Sequence, residues 1–477
     1  MTSTAALRCG PDDGSRSLFE TSRDRLGTIQ SFSPAAFDAG STNAFFTSFG
    51  TNGRSCGTCH SQSDAWTLST TRARATAYAN PADPLFAPVD GADCPPTDPQ
   101  QPADATRSTM VTGYGLIRIE LPIPPTADFS LVSATNPEGC AVAPGDPSID
   151  GALFLFRRPL PSANLPFLSA VMWDGRETHQ KIATGPNLTN LQPLLADLSS
   201  QDIDATLGHA QATSPLTDPA LSDARDFEIN LFTAQASLGM LELDRGSAHG
   251  GPRYLSDVLA PAFAIGQNDP FAPGFTSRIF DLYQAWEPVN GCSPSGLTRE
   301  QAAIGRGEAI FNNRTFTIAN VGGINSAASD PLANPLDPAF DQPVVGTCGT
   351  CHNAHDVGDH TTALPINIGV TAADPTDNNG SSIAGILDTA KLPVYTLQSG
   401  ARTVRVTDPA RALISGSFVD VGKTKGPVLR GLAARAPYFH NGSAKDLDTV
   451  VEFYDARFNI RFTEAEKHDL VEFLKAL

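Results

Sequence analysis

Two short frames constrain this 477-residue chain more than anything else in it: Ser55-Cys56-Gly57-Thr58-Cys59-His60 and Thr347-Cys348-Gly349-Thr350-Cys351-His352. C-x-x-C-H is the attachment signature of c-type haem. Its spacing follows from the chemistry, since two thiols add across the vinyl groups and the adjoining histidine offers its imidazole to the iron. Two other readings use the same cysteines. A redox dithiol needs C-x-x-C but not the histidine after it. A zinc site needs two more ligands, and only the second frame has them close by, as His355 and His360. Two complete frames in one chain favour two covalently bound haems, with His60 and His352 as iron ligands.

The other four cysteines, Cys9, Cys94, Cys140 and Cys292, lie among Gly and Pro with no metal-ligand pattern. Covalent haem attachment belongs to the bacterial periplasm or an equivalent compartment, where disulfides persist. One or two disulfides are expected, with Cys94–Cys140 favoured because a long irregular loop separates them; free buried thiols are the alternative. The opening MTSTAALRCG lacks the basic and then apolar segments of a signal peptide. For an exported chain, the expectation is a leader removed or replaced. No run of 18 apolar residues occurs, so no membrane span is expected. Lys and Arg number 33 against 51 Asp and Glu, a formal charge of -18. A protein that tracks a nucleic-acid backbone needs the opposite balance.

Along the chain, the order of helix, haem frame, loops and closing helices occurs twice. The expected fold is therefore mainly α: two cytochrome c-like domains, each around one haem, with long irregular insertions and a few short strands. The irregular stretch Glu287-Pro288-Val289-Asn290-Gly291-Cys292 sets the boundary, giving domains 1–290 and 291–477. Residues 80–150, rich in Pro, Asp and Gly, read as an excursion with short strands such as 115–119. Residues 195–240 carry helical periodicity, notably through Asp226–Phe232. Thr298 with Gln301, and Thr463 with Glu466, are capping boxes that start helices. The last helix presents Leu470, Val471, Phe473, Leu474 and Leu477 on one face.

Met172-Trp173-Asp174-Gly175-Arg176 resembles the F-W-D-G-R segment of bacterial dihaem cytochrome c peroxidases. Pro427-Val428-Leu429-Arg430-Gly431 and Ala436-Pro437-Tyr438-Phe439-His440-Asn441-Gly442-Ser443 resemble that family's second signature. With the two frames in order, the resemblance spans the chain, more weakly at about 65–150 and 313–345. The superfamily also holds MauG-type enzymes and dihaem rubber oxygenases, and the branch stays open.

The resemblance implies roles residue by residue. The N-terminal haem is the peroxide site, and the absence of any His between His60 and His179 implies an open iron face or a remote cap. The family's distal Glu falls in this register on Gln211, beyond a helix at Leu198–Asp204, with His209 two residues earlier. Gln211 or His209 would arrange the distal oxygen, and His209 could instead ligate iron; a surface histidine and an exposed amide are the bland alternatives. His179 is a weaker rival. Trp173 stands where the family relays electrons between haems, or is a core aromatic. Asp174 and Arg176 would fix the loop and pair with propionates. The second haem's usual Met is missing, since no Met follows Thr347. The register lands instead on Tyr454, as in the MauG branch, or Tyr454 packs as a helix aromatic; His440 is an alternative ligand or a propionate partner. His355 and His360 are expected in a solvated loop, with a ligand role the lesser alternative. Calcium joins the domains in many relatives, but Arg435 stands where its Thr is expected, which weakens that expectation.

The expected function is a periplasmic oxidoreductase reducing hydrogen peroxide at the first haem, with electrons from a small redox-protein donor relayed through the second haem and Trp173. Two alternatives stay open: a MauG-like or oxygenase enzyme using peroxide or dioxygen on an organic or protein substrate, and a non-catalytic electron-transfer cytochrome. A homodimer is implied at family level alone.

Overall fold

A computed structural model describes residues 17–35, 42–96, 98, 101–140, 152–179, 191–325, 342–362 and 365–477. Cys9 lies outside them. The helices are α1 (Cys56–Cys59), α2 (Thr70–Ala79), α3 (Thr109–Tyr114), α4 (Leu191–Gly208), α5 (Ala220–Ile229), α6 (Pro252–Tyr254), α7 (Arg299–Asn313), α8 (Ala412–Ser415), α9 (Leu447–Phe458) and α10 (Glu464–Ala476). The strands are β1 (Phe19–Arg23), β2 (Gly27–Phe32), β3 (Ile117–Pro122), β4 (Ser130–Thr135), β5 (Ala152–Arg157), β6 (Phe232–Leu238), β7 (Leu241–Glu242), β8 (Phe316–Ile318), β9 (Val344–Gly346), β10 (Val394–Ser399) and β11 (Arg402–Val406).

At 31% helix and 17% strand, the fold is mixed rather than mainly α. The strands form antiparallel sheets of order β1-β2-β6-β7, β11-β10-β4, β3-β5 and β8-β9. Short strands far apart in sequence find partners only in the folded chain, which is why the sequence understates them. β4 and β10 pair across position 290, so elements from both sides of that boundary share one sheet.

Both capping boxes form. Thr298 N donates to Gln301 Oε1 (3.0 Å) and Gln301 N to Thr298 Oγ1 (3.2 Å). Thr463 and Glu466 do the same at 2.8 and 3.2 Å. α10 lies on α7 with its apolar face buried as expected, and Gly307 is required there: a Cβ would stand 2.1 Å from the Asp469 carbonyl oxygen. Arg306 clamps Asp469 with two bonds, 2.6 and 2.7 Å.

Two elements shift from expectation. The helix through Asp226 ends at Ile229, because Phe232 pairs with Phe32 in the first sheet. The strand expected at 115–119 starts at Ile117, since Gly115, at φ 63°, closes α3. Cys94 and Cys140 are disulfide-bonded, the favoured pairing, with Cα atoms 5.4 Å apart. Cys292 is free and exposed.

Candidate functional site

The two C-x-x-C-H frames fold alike. In each, the residue before the first cysteine is tied to the threonine three places on: Ser55 N donates to Thr58 Oγ1 (3.0 Å) and Thr347 N to Thr350 Oγ1 (3.1 Å). In each, the histidine N–H closes a turn onto the first cysteine's carbonyl at 3.0 Å. Nδ1 of His60 is 2.9 Å from the Trp66 carbonyl oxygen, and Nδ1 of His352 is 2.7 Å from that of Gly358. A carbonyl acceptor fixes the proton on Nδ1 and leaves Nε2 as a lone-pair ligand, the usual support of a metal-bound imidazole. Burial lowers both imidazoles, His60 to about 4, which keeps them neutral. The four thiols are free rather than disulfide-bonded, and burial pushes Cys348 and Cys351 up to about 12.

Each frame opens into a cavity, of about 160 Å³ at His60 and about 190 Å³ at His352. Arg158, Pro159, Trp173 and Lys425 line both, so one wall separates the two. Trp173 is 8% exposed, and its indole N–H donates to the Arg158 carbonyl at 2.8 Å.

That wall carries cations in excess of partners. The Arg158 guanidinium reaches only the carbonyls of Tyr114, Gly115 and Arg435. The Arg435 guanidinium, which lines the second cavity alone, reaches those of Val428 and Arg430. Neither they nor Lys425 has a carboxylate within ion-pair distance among the described residues, although Asp359 acts on Lys425 from farther off. Burial takes Arg158 down to about 9, Lys425 to about 8 and Arg435 to about 10. Buried charge without a counter-charge is costly, so this wall suits an anionic ligand. A haem meets every requirement: vinyls for the thiols, iron for the imidazole, and propionates for the cations.

The structure brings His209, Trp173 and Arg176 to the first cavity. His209, at the end of α4, hydrogen-bonds through Nδ1 to Asp90, which also pairs with Arg54. Nε2 is thereby left as the acceptor nitrogen. Burial alone would raise the Asp90 carboxyl, but Arg54 and His209 bring it down to about 2. Gln211 is not on the cavity lining. It sits just past α4 at φ 57°, its amide oxygen 3.3 Å from Asn52 Nδ2. His179 is half-exposed beside Glu177 and Ser200, also off the lining. Asp174 is engaged inside the protein by Arg157, while Arg176, 3.3 Å from Asp174, keeps a face on the cavity.

Tyr454, His440 and His360 line the second cavity. The Tyr454 ring centroid lies 6.5 Å from that of His352, and burial raises its phenol well above the ordinary range. His440 is buried, its ring 6.1 Å from Trp173 and Nε2 3.7 Å from Asp408; burial lowers it to about 4. His360 corrects the expectation of a solvated loop. It is buried, its Nδ1 accepts from Gly426 N (3.2 Å), and Gly426 leaves it room, since a Cβ there would stand 2.4 Å from the ring. His355 is exposed beside Asp356 (3.3 Å). Among the described residues, no methionine lines this cavity.

Sequence reasoning missed Asp90, Arg54, Asp202, Glu228, Arg158 and Lys425. None belongs to a spacing motif, and each reaches its cavity from a different segment.

Asp90 gives a testable consequence. Its carboxyl is held below its ordinary 3.8, so the stabilisation is full above that value and is lost as pH falls through about 2. The margin is roughly 2 kcal/mol by linkage. In denaturant unfolding, the gap between wild type and Asp90→Asn should narrow by that amount between about pH 4 and pH 2. A constant gap contradicts the assignment.

No family model matches the chain. Among curated proteins, the cytochrome-c peroxidase IdrP2 of Denitromonas iodatirespirans is 33% identical over 142 residues, 28% of this chain and 36% of that protein. The cytochrome-c peroxidase IdrP1 of the same organism is 39% identical over 69 residues, 12% and 18% of the two chains. These partial matches support a likeness to cytochrome-c peroxidases. The matched stretch spans about a third of the first curated relative. Among solved structures, a MauG-like protein associated with microbial copper homeostasis shares 14% identity at a TM-score of 0.31, covering 90% of this chain and 85% of that one. No helix among the described residues is long and apolar enough to cross a membrane.

Proposed function

We propose that this chain is a periplasmic dihaem oxidoreductase that reduces hydrogen peroxide. One observation carries the reading: two cavities, each starting at a C-x-x-C-H frame with its histidine tied at Nδ1, share a wall of Trp173 and unpaired cations. Cys56, Cys59 and His60 would hold one haem, within residues 1–290. Cys348, Cys351 and His352 would hold the other, within 291–477, with Tyr454 the candidate second ligand. Bound iron supplies the redox chemistry and an open position for peroxide. The residues supply the rest. Arg158, Lys425, Arg176 and Arg435 bind carboxylates and fix orientation. His209, oriented by Asp90, takes a proton at Nε2 from one peroxide oxygen and returns it to the other. Trp173 fills the path between cavities. The balance is H₂O₂ with two electrons and two protons giving two waters, the electrons coming from a small redox-protein donor. The charge of -18 would steer a cationic donor.

A second reading, oxidation of an organic or protein substrate in the MauG-like or oxygenase manner, is favoured by Tyr454 in a cavity that no methionine lines, and by Gln211 standing off the distal wall.

Haem assay after denaturation should find two covalent haems per chain, and the Cys348→Ser/Cys351→Ser variant one. The resting optical and EPR spectra should contain high-spin ferric iron. Absence of covalent haem removes the proposal, and two purely low-spin haems remove both catalytic readings. Peroxide turnover with a reduced cytochrome then separates the first reading from the second.

A further inference from the structure

α4 and α5 bring Asp202 and Glu228 together on the wall of the first cavity. They are 3% and 4% exposed, and each keeps one carboxylate oxygen, Oδ2 of Asp202 and Oε2 of Glu228, with no hydrogen-bond partner. Arg225, the cation that faces Asp202, is paired with Asp226 at 2.9 Å. The other titratable groups facing the pair are the buried Cys56 thiol and, through the Ser162 hydroxyl, His60. Ser162 Oγ lies 3.1 Å from Nδ1 of His60 and also bonds the Glu228 carboxylate. Two adjacent carboxylates in a site poor in water cannot both ionise, so they keep a proton between them. Burial is the main cause that pushes Asp202 up to about 7; burial and the Asp202 charge push Glu228 well up as well.

We propose that Asp202 and Glu228 form a shared-proton pair that takes up one proton from solvent when the cofactor on His60 gains an electron. The inference rests on His60 holding a redox-active haem. An external one-electron reductant adds one negative charge to the cavity, and one proton from water enters the pair; on oxidation both leave. The pair touches no reacting atom. It is a positioning element that holds the charge of the first cavity constant, by way of Ser162, while electrons come and go.

The test is spectroelectrochemical titration of the holoprotein, following each haem by its own absorption, from about pH 6 to pH 8 around the value of Asp202. One proton per electron means a tenfold shift in the reduction equilibrium per pH unit, about 59 mV for a one-electron couple. The first haem should approach that slope, and Asp202→Asn with Glu228→Gln should flatten it. An unchanged slope in the double variant overturns the proposal. Redox-difference infrared spectra of the wild type give a check that needs no variant: a carboxylic-acid carbonyl band must change on reduction, and its absence overturns the proposal. A protein without haem on Cys56 and Cys59 overturns the parent reading too, whereas a haem-loaded protein with a flat profile overturns the coupling alone.

Discussion

His209→Ala is expected to lower kcat/KM for hydrogen peroxide by about 10²–10⁴-fold, the usual contribution of a positioned acid–base. His209 is the one imidazole, besides that of His60, on the first cavity's lining. Its Nδ1 is occupied by Asp90, so Nε2 is the nitrogen that can take a proton. Asp90→Asn should retain part of the activity, because the ring stays in place while its tautomer is no longer enforced. The readout that separates catalysis from structure is kcat of His209→Ala measured at unchanged haem content and unchanged denaturant midpoint. Unaltered peroxide turnover in His209→Ala would remove this residue from the mechanism.

Arg157→Met should cost about 3–5 kcal/mol of stability, the range for breaking a buried ion pair from one side. Arg157 pairs with Asp174 and, at 2.7 and 2.9 Å, with Asp408; all three side chains are at most 2% exposed. One cation therefore holds two carboxylates from distant parts of the chain, and its loss leaves Asp174 with Arg176 at 3.3 Å and Asp408 with His440 at 3.7 Å. Asp174 follows Trp173 directly, so the damage should spread to the wall between the cavities. Arg157→Lys should recover only part of the loss, since an ammonium cannot reproduce the planar fork. The check is the denaturant midpoint of each variant, with Trp173 fluorescence as a local probe. A midpoint within the error of wild type in Arg157→Met would contradict this account.

Much of the candidate site is legible because a C-x-x-C-H frame packs its ligands into five consecutive residues. The helix starts at Thr298 and Thr463 were legible for a similar reason, as a capping box needs only a residue and its third neighbour. The helix at Asp226 was read too long because Phe232 answers to Phe32, 200 positions away, and not to its own neighbours. His360 was read as solvated because its burial depends on Gly426 passing close to the ring. Asp90 was not read at all: it meets His209 from 119 residues away and carries no motif.

The sequence by itself determined the two C-x-x-C-H frames, the lack of a late methionine, and the acidic charge. These are local or compositional facts, fixed by covalent order. Only the tertiary structure decided that the two cavities share one wall, that Arg158 and Lys425 stand on it without a carboxylate partner, and that Asp202 and Glu228 face each other beside Ser162. Such groups gain their chemistry from what burial takes away, namely water and counter-charge, and burial is a property of the whole fold rather than of any segment.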